Sequence, residues 1–215
     1  FPYTTLFRSR DVFELLLVER KASQVFSGIE RDNFIQNLDV LLQSPSLETL
    51  RDTFRDKPAL FINAGPSIDA ALEHVGNYVG RAFIFASDTS YPFLRRAGVA
   101  VDVVFSVDPQ ESTIKHFDGM RAHQALSIAL PTMFCGAMHA FDGPKMCVLQ
   151  KDNTVTKHIE HLFKEKNFTF AGGSVSCIGL DIMMQLGCNP VVFMGMDYAF
   201  PFNKYYSNNT VETKF

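Results

Sequence analysis

The 215-residue chain carries 20 Lys and Arg against 23 Asp and Glu, a formal net charge of −3, and 47% of its residues are hydrophobic. That length and apolar content can bury one sizeable core. The slight acidity excludes wholesale binding of nucleic acid or an anionic membrane, which needs a clearly basic surface, but leaves room for a local phosphate site.

Phe1 to Arg10 (FPYTTLFRSR) reads as a translated adapter remnant and is set aside from the fold. Residues 11–56 are expected to be a helical lead-in from an upstream region. Val12, Leu15 and Leu16, then Phe34, Ile35, Leu38, Leu41 and Leu42, recur at helical spacing, and Gly28 divides the stretch. Ser46 is placed to cap a short helix over Leu47 to Phe54, and Lys57-Pro58 ends it.

Over residues 57–203 the pattern becomes strand, turn, helix, repeated. Strands are predicted at Ala59 to Asn63, Arg81 to Ser87, Val101 to Val107, Phe168 to Ala171 and Pro190 to Gly195, with weaker ones at Leu126 to Ala129 and Met146 to Leu149. Helices are predicted at Ile68 to Tyr78, Tyr91 to Ala97 closed by Gly98, Thr154 to Lys166, and Ser174 to Leu186. Short apolar strands alternating with helices argue for an α/β domain, a mostly parallel sheet with helices on both faces. Residues 204–215 are polar and read as the truncated end of a longer chain. No apolar stretch reaches the ~18 residues of a membrane span, and no N-terminal signal pattern stands out. We therefore expect a cytoplasmic protein that binds neither membrane nor nucleic acid.

Two strand-to-helix turns could hold an anion. In the first, Asn63-Ala64-Gly65-Pro66-Ser67, Pro66 fits the first helical position and the N–H groups of Ser67, Ile68 and Asp69 lack partners inside a helix. They would face a phosphate or carboxylate at the positive end of the helix dipole. The second, Gly172-Gly173-Ser174, repeats that logic. Neither is a dinucleotide fingerprint or a P-loop, and an ordinary βα turn explains each as well.

Asp88, Asp108 and Asp197 each follow a predicted strand. In an open α/β sheet that edge carries the ligand crevice, although Asp88 and Asp108 could equally cap helices. His116 and His139 are the general-base candidates. The four cysteines form no C-x-x-C pair and match no zinc spacing, so they read as buried thiols and no metal site is expected.

The segments LFINAGPSID, FASDTSYPFLRRAGVAVDVVFSVDPQ and FAGGSVSCIGLDIMMQLGCNPVVFMGMDYAF, in that order, resemble the DUF115 family. That family includes the motility accessory factor (Maf) flagellin glycosyltransferases and the MptE-like 6-hydroxymethylpterin diphosphokinases. The resemblance implies a Rossmann-like central domain, similar to bacterial sialyltransferases and flanked by helical regions. On the Maf side it implies transfer of a nonulosonic acid from a CMP-sugar donor to Ser or Thr of flagellin. Asn63, Gly65, Pro66, Ser67 and Asp88 would shape the nucleotide pocket, and Gly172, Gly173 and Ser174 would cradle its phosphate. Asp108, Asp197 and His139 would serve the chemistry, with no metal or other cofactor required. On the MptE side it implies diphosphate transfer from ATP with Mg to a pterin. There the Phe105-Ser106-Val107-Asp108-Pro109 segment lacks the Asp-x-Asp-Gly element of that branch. A non-catalytic nucleotide-sugar-binding module is the third expectation.

Overall fold

A computed structural model describes residues 28–119, 123–151, 153, 156–157, 168–170 and 174–211. Its centre is a six-stranded sheet, parallel throughout, in the order β5-β4-β3-β2-β1-β8. The strands are β1 (Ala59–Ile62), β2 (Phe83–Ser87), β3 (Val103–Ser106), β4 (Leu126–Ala129), β5 (Lys145–Cys147) and β8 (Val191–Met194). Two short strands, β6 (Leu149–Gln150) and β7 (Phe168–Thr169), pair with each other in a separate ladder.

Side-chain alternation divides the core into two layers. Leu60, Ile62, Ile84, Ala86 and Val104 face one layer, with Ile68, Tyr91, Leu94 and Met138 packed over them. Phe61, Phe85, Val103 and Phe105 face the other, under Ile178, Ile182, Met183 and Leu186. Those last four lie on or just past α5 (Val175–Gln185). Gly179 lets α5 lie directly on the sheet: a Cβ there would sit 2.4 Å from the Phe61 ring and 3.0 Å from Phe105. Fully burying a ring such as Phe61 contributes ~2–3 kcal/mol.

The remaining helices are α1 (Leu38–Gln43), α2 (Leu72–Val75), α3 (Tyr91–Arg96) and α4 (Cys135–Ala140). Gly98, at φ +72°, ends α3, and Gly187, at φ +85°, follows α5. The single helix expected over Ile68 to Tyr78 is instead a 3-10 turn at Pro66–Ala70, α2, and a second 3-10 turn at Gly76–Tyr78. Gly76 and Asn77 are poor helix formers, so little holds a longer helix together there. The apolar run Met146 to Leu149 is not one strand. After Cys147 the chain leaves the main sheet for the small ladder. The predicted Phe168 strand joins that ladder too, because a short apolar run does not say which sheet it enters.

The N-terminal segment is helical from residue 28 to Gln43 with a turn at Asn37; residues 11–27, and most of the helix expected at Thr154 to Lys166, lie outside the described residues. It is clasped to the sheet by two buried amides. Asn33 Nδ2 donates to Pro109 O at 2.9 Å, and Asn37 Nδ2 donates to Pro131 O and Met133 O, each at 2.9 Å. Ser46 accepts from the Glu48 amide at 3.3 Å and caps a 3-10 turn at Leu47–Leu50.

Residues 204–211 are polar but tied down. Ser207 is fully buried, and its N–H donates to Ala64 O at 2.7 Å. Asp69 receives the Ser207 hydroxyl, the Asn208 N–H at 3.2 Å and the Asn209 amide at 3.1 Å. The segment is a strap folded back beside the turn after β1. Among the described residues no helix is long and apolar enough to cross a membrane. All four cysteines are unbridged. Burial pushes the Cys147 thiol up to about 12 and Cys188 to about 11, so both stay protonated, while Cys177 is exposed and not a buried thiol as expected.

Candidate functional site

The chain builds outward from β1 through β5, then returns to lay β8 on the other side of β1. That reversal makes the β1/β8 boundary the switch point, where the loops leaving two neighbouring strands diverge and open a crevice at their carboxyl ends. A cleft of about 520 Å³ lies there. Asn63 and Gly65 line it from β1, Asp88 from β2, Asp108 from β3, Asp197 from β8, and Val175 and Ser176 from the start of α5.

The three aspartates are each held differently. Asp88 is buried; its Oδ2 accepts from Ser106 Oγ at 2.6 Å and its Oδ1 from the Thr89 N–H at 2.7 Å. Buried His116 stands with Nδ1 3.8 Å from Asp88 Oδ1. Burial works to raise the Asp88 carboxyl, but the His116 contact, the Ser106 hydroxyl and the Thr89 amide outweigh it and hold the group below its usual range. Asp88 is therefore an ionised carboxylate fixed in place. It is not a helix cap, since Ser90 occupies that position before α3. Asp108 accepts from the Gln110 N–H at 2.9 Å, a local turn that leaves the carboxylate half-buried beside the cleft.

Asp197 changes the reading of the first glycine turn. Its Oδ2 accepts from the Ser67 N–H at 2.9 Å, and the Ile68 N–H is turned back to Gly65 O at 3.2 Å. Two of the three amides expected to meet a phosphate are thus met by the protein itself. Gly65 is not needed there for backbone freedom. Its φ is −66°, open to any residue. A Cβ there would lie 2.5 Å from Asp197 Oδ2 and 2.6 Å from Gly195 O, so glycine is needed for close approach. Pro66 opens the 3-10 turn as expected at a first helical position, and Ser67 is exposed beside it.

At the second turn, Gly172 and Gly173 lie outside the described residues. Ser174 caps α5, accepting from the Cys177 N–H at 3.3 Å. Ser176 Oγ donates to Asn63 Oδ1 at 3.3 Å. Asn63 is only 7% exposed, and its Nδ2 has no hydrogen-bond partner among the described residues. A buried unused amide donor disfavours the empty state by ~1–3 kcal/mol, which a bound acceptor oxygen would recover.

His139 is not brought to the cleft. It is exposed on α4, with Nε2 3.5 Å from Gln36 O, because the loop after β4 carries that helix away from the switch point. Sequence reasoning passed over four aromatic residues that do line the cleft, Tyr198, Phe200, Tyr205 and Tyr206. The signal was the density of rings in YAFPFNKYY, which no periodicity explains.

Among the described residues lining the cleft there are three aspartates and no Lys or Arg. Nor is any group of three or more His, Cys, Asp or Glu among the described residues placed to hold a metal ion. The carboxylates come from three separate strand tips, and each already accepts a hydrogen bond from the protein. The arrangement can accept hydroxyl protons through carboxylates, donate to an anion through Asn63 and the α5 end, and cover a ring with aromatic faces.

No curated protein matches the sequence. Among solved structures, the Maf glycosyltransferase from Magnetospirillum magneticum AMB-1 is similar, with a TM-score of 0.59 at 17% identity, over 68% of this chain and 24% of that one. At that identity the likeness is one of fold, a Rossmann-like α/β sheet, and this chain spans about a quarter of the neighbour's length. Residues 32–203 match the family described as 6-hydroxymethylpterin diphosphokinase MptE-like. A match over so much of the sequence, on a sheet whose strand tips converge in this way, makes the chain a member of the MptE-like family.

Proposed function

We propose that the cleft serves a glycosyltransferase that takes a nonulosonic acid from a CMP-sugar and passes it to a hydroxyl, Ser or Thr of flagellin being the acceptor. The observation that carries this reading is the charge of the cleft, three carboxylates with no basic lining residue among those described. When the bond between the anomeric carbon and the phosphate oxygen breaks, CMP leaves with the electron pair and positive charge grows on the sugar. Carboxylates preorganised around that carbon stabilise the growing charge. A donor with one phosphate also meets less repulsion there than a triphosphate would.

The leaving phosphate fits the start of α5, where Asn63 Nδ2, the helix dipole and the backbone of Gly172, Gly173 and Ser174 would receive it. The acceptor hydroxyl forms the new bond to the anomeric carbon and gives its proton to a carboxylate. Asp108 and Asp197 are the candidates, since His139 lies elsewhere. Asp88, fixed by Ser106 and Thr89, would accept from a ribose or sugar hydroxyl.

The second reading is diphosphate transfer from ATP and Mg to a hydroxymethylpterin, favoured by the description of the matched family. Thermal shift with CMP, CDP, ATP and GTP, each with and without magnesium, separates the two, because a ligand selective for the fold raises Tm. The glycosyltransferase reading expects CMP to stabilise without metal and Gly173→Val to abolish the shift. Stabilisation by ATP only when magnesium is present would replace it with the kinase.

A further inference from the structure

Tyr198 is 74% exposed, Phe200 63%, Tyr205 63% and Tyr206 37%, and all four line the one cleft. A single exposed ring is ordinary; four lining one cleft are not. The 3-10 turn at Pro201–Asn203 folds the segment so that the Phe200 and Tyr205 rings stand 4.5 Å apart at 51°. The strap behind them is fastened. Ser207 is tied to Ala64 O, Asp69 gathers Ser207, Asn208 and Asn209, and Arg96 reaches Asn209 O. Tyr205 and Tyr206 therefore enter the mouth next to an anchored residue.

We infer that this aromatic mouth takes the planar ring of the ligand by stacking, and that Asp69 is the positioning residue that holds the mouth in place. The polar floor leaves ring recognition to these side chains, whose faces accept any flat heterocycle without reading its edges. Only the assignment of that ring to a nucleoside base rests on the function proposed above.

The chain has no Trp, so its emission is that of tyrosine, and a base stacked on the mouth should quench it. The test titrates the full chain with CMP, with 6-hydroxymethylpterin and with ribose 5-phosphate, following emission and, by calorimetry, affinity. The expected result is quenching by CMP and none by ribose 5-phosphate. Tyr205→Ala and Phe200→Ala should each weaken CMP about tenfold, with Tyr205→Phe retaining wild-type affinity. Asp69→Ala should weaken CMP several-fold and leave ribose 5-phosphate unchanged, whereas a merely structural role would weaken both. If CMP binds and the alanine variants bind it equally well, stacking is overturned and the glycosyltransferase reading survives. If the pterin alone binds, in a manner the alanine variants weaken, the stacking mouth stands and the choice of a CMP donor fails. Binding of none of the ring-bearing ligands would overturn the mouth itself.

Discussion

The two strand-to-helix turns at the cleft look alike in sequence and differ in what meets their amides. After β1 the helix is a five-residue 3-10 turn whose Ser67 N–H is occupied by the protein's own Asp197. At α5 an eleven-residue helix begins on the cleft wall, beside an Asn63 donor that no described residue uses. The lesson is that a glycine turn before a helix advertises donors without saying who will take them. A carboxylate far along the chain meets one turn, and a local serine caps the other.

The largest effect should come from moving α5. Gly179→Val puts atoms into the Phe61 and Phe105 rings and forces α5 off the sheet. We expect a loss of ~2–3 kcal/mol in urea unfolding, together with weaker CMP binding. Unchanged affinity in a folded variant would show that the position of α5 does not set the site.

A smaller effect should come from opening the closed turn. Asp197→Ala removes the acceptor of the Ser67 N–H and should destabilise by ~1 kcal/mol, since that turn is exposed and water can replace the carboxylate. It should also make Tm rise with added inorganic phosphate by more than in wild type. An identical phosphate response in both proteins would mean that Asp197 is not what keeps anions from that turn.

The smallest is a change of slope with pH. Asp88 is held below its usual range in the fold, so below about pH 4 the unfolded chain carries the extra proton and native stability falls as pH drops towards the folded value. Asp88→Asn should flatten that acid limb, measured as Tm between about pH 2 and pH 5. An acid limb as steep as wild type would show that the Ser106, Thr89 and His116 contacts do not favour its charged form.

The sheet was legible because its strands are continuous apolar runs. Ala59–Ile62 and Val191–Met194 were found in place, and a parallel sheet forces their polar successors onto one rim. The closed state of the Gly65 turn was not legible, because it depends on a contact between Ser67 and Asp197, distant in sequence. The thinness that Gly65 supplies was not legible either, because the Asp197 carboxylate and Gly195 carbonyl that demand it are distant in sequence. His139 was proposed from residue type alone, which carries no information on which loop reaches the cleft. The aromatic mouth was overlooked because rings in a loop have no period to betray their direction.

The position of β8 has a consequence for how the molecule comes into being. Ala59 must wait for Val191 before its outer edge is covered, so a nascent chain carries a bare β1 flank until β8 emerges, a template for mispairing between copies. β8 is also the strand that brings Asp197 to Ser67. Maturation of the cleft and protection from aggregation therefore coincide, and a chain stalled before residue 191 would be exposed and inert at once.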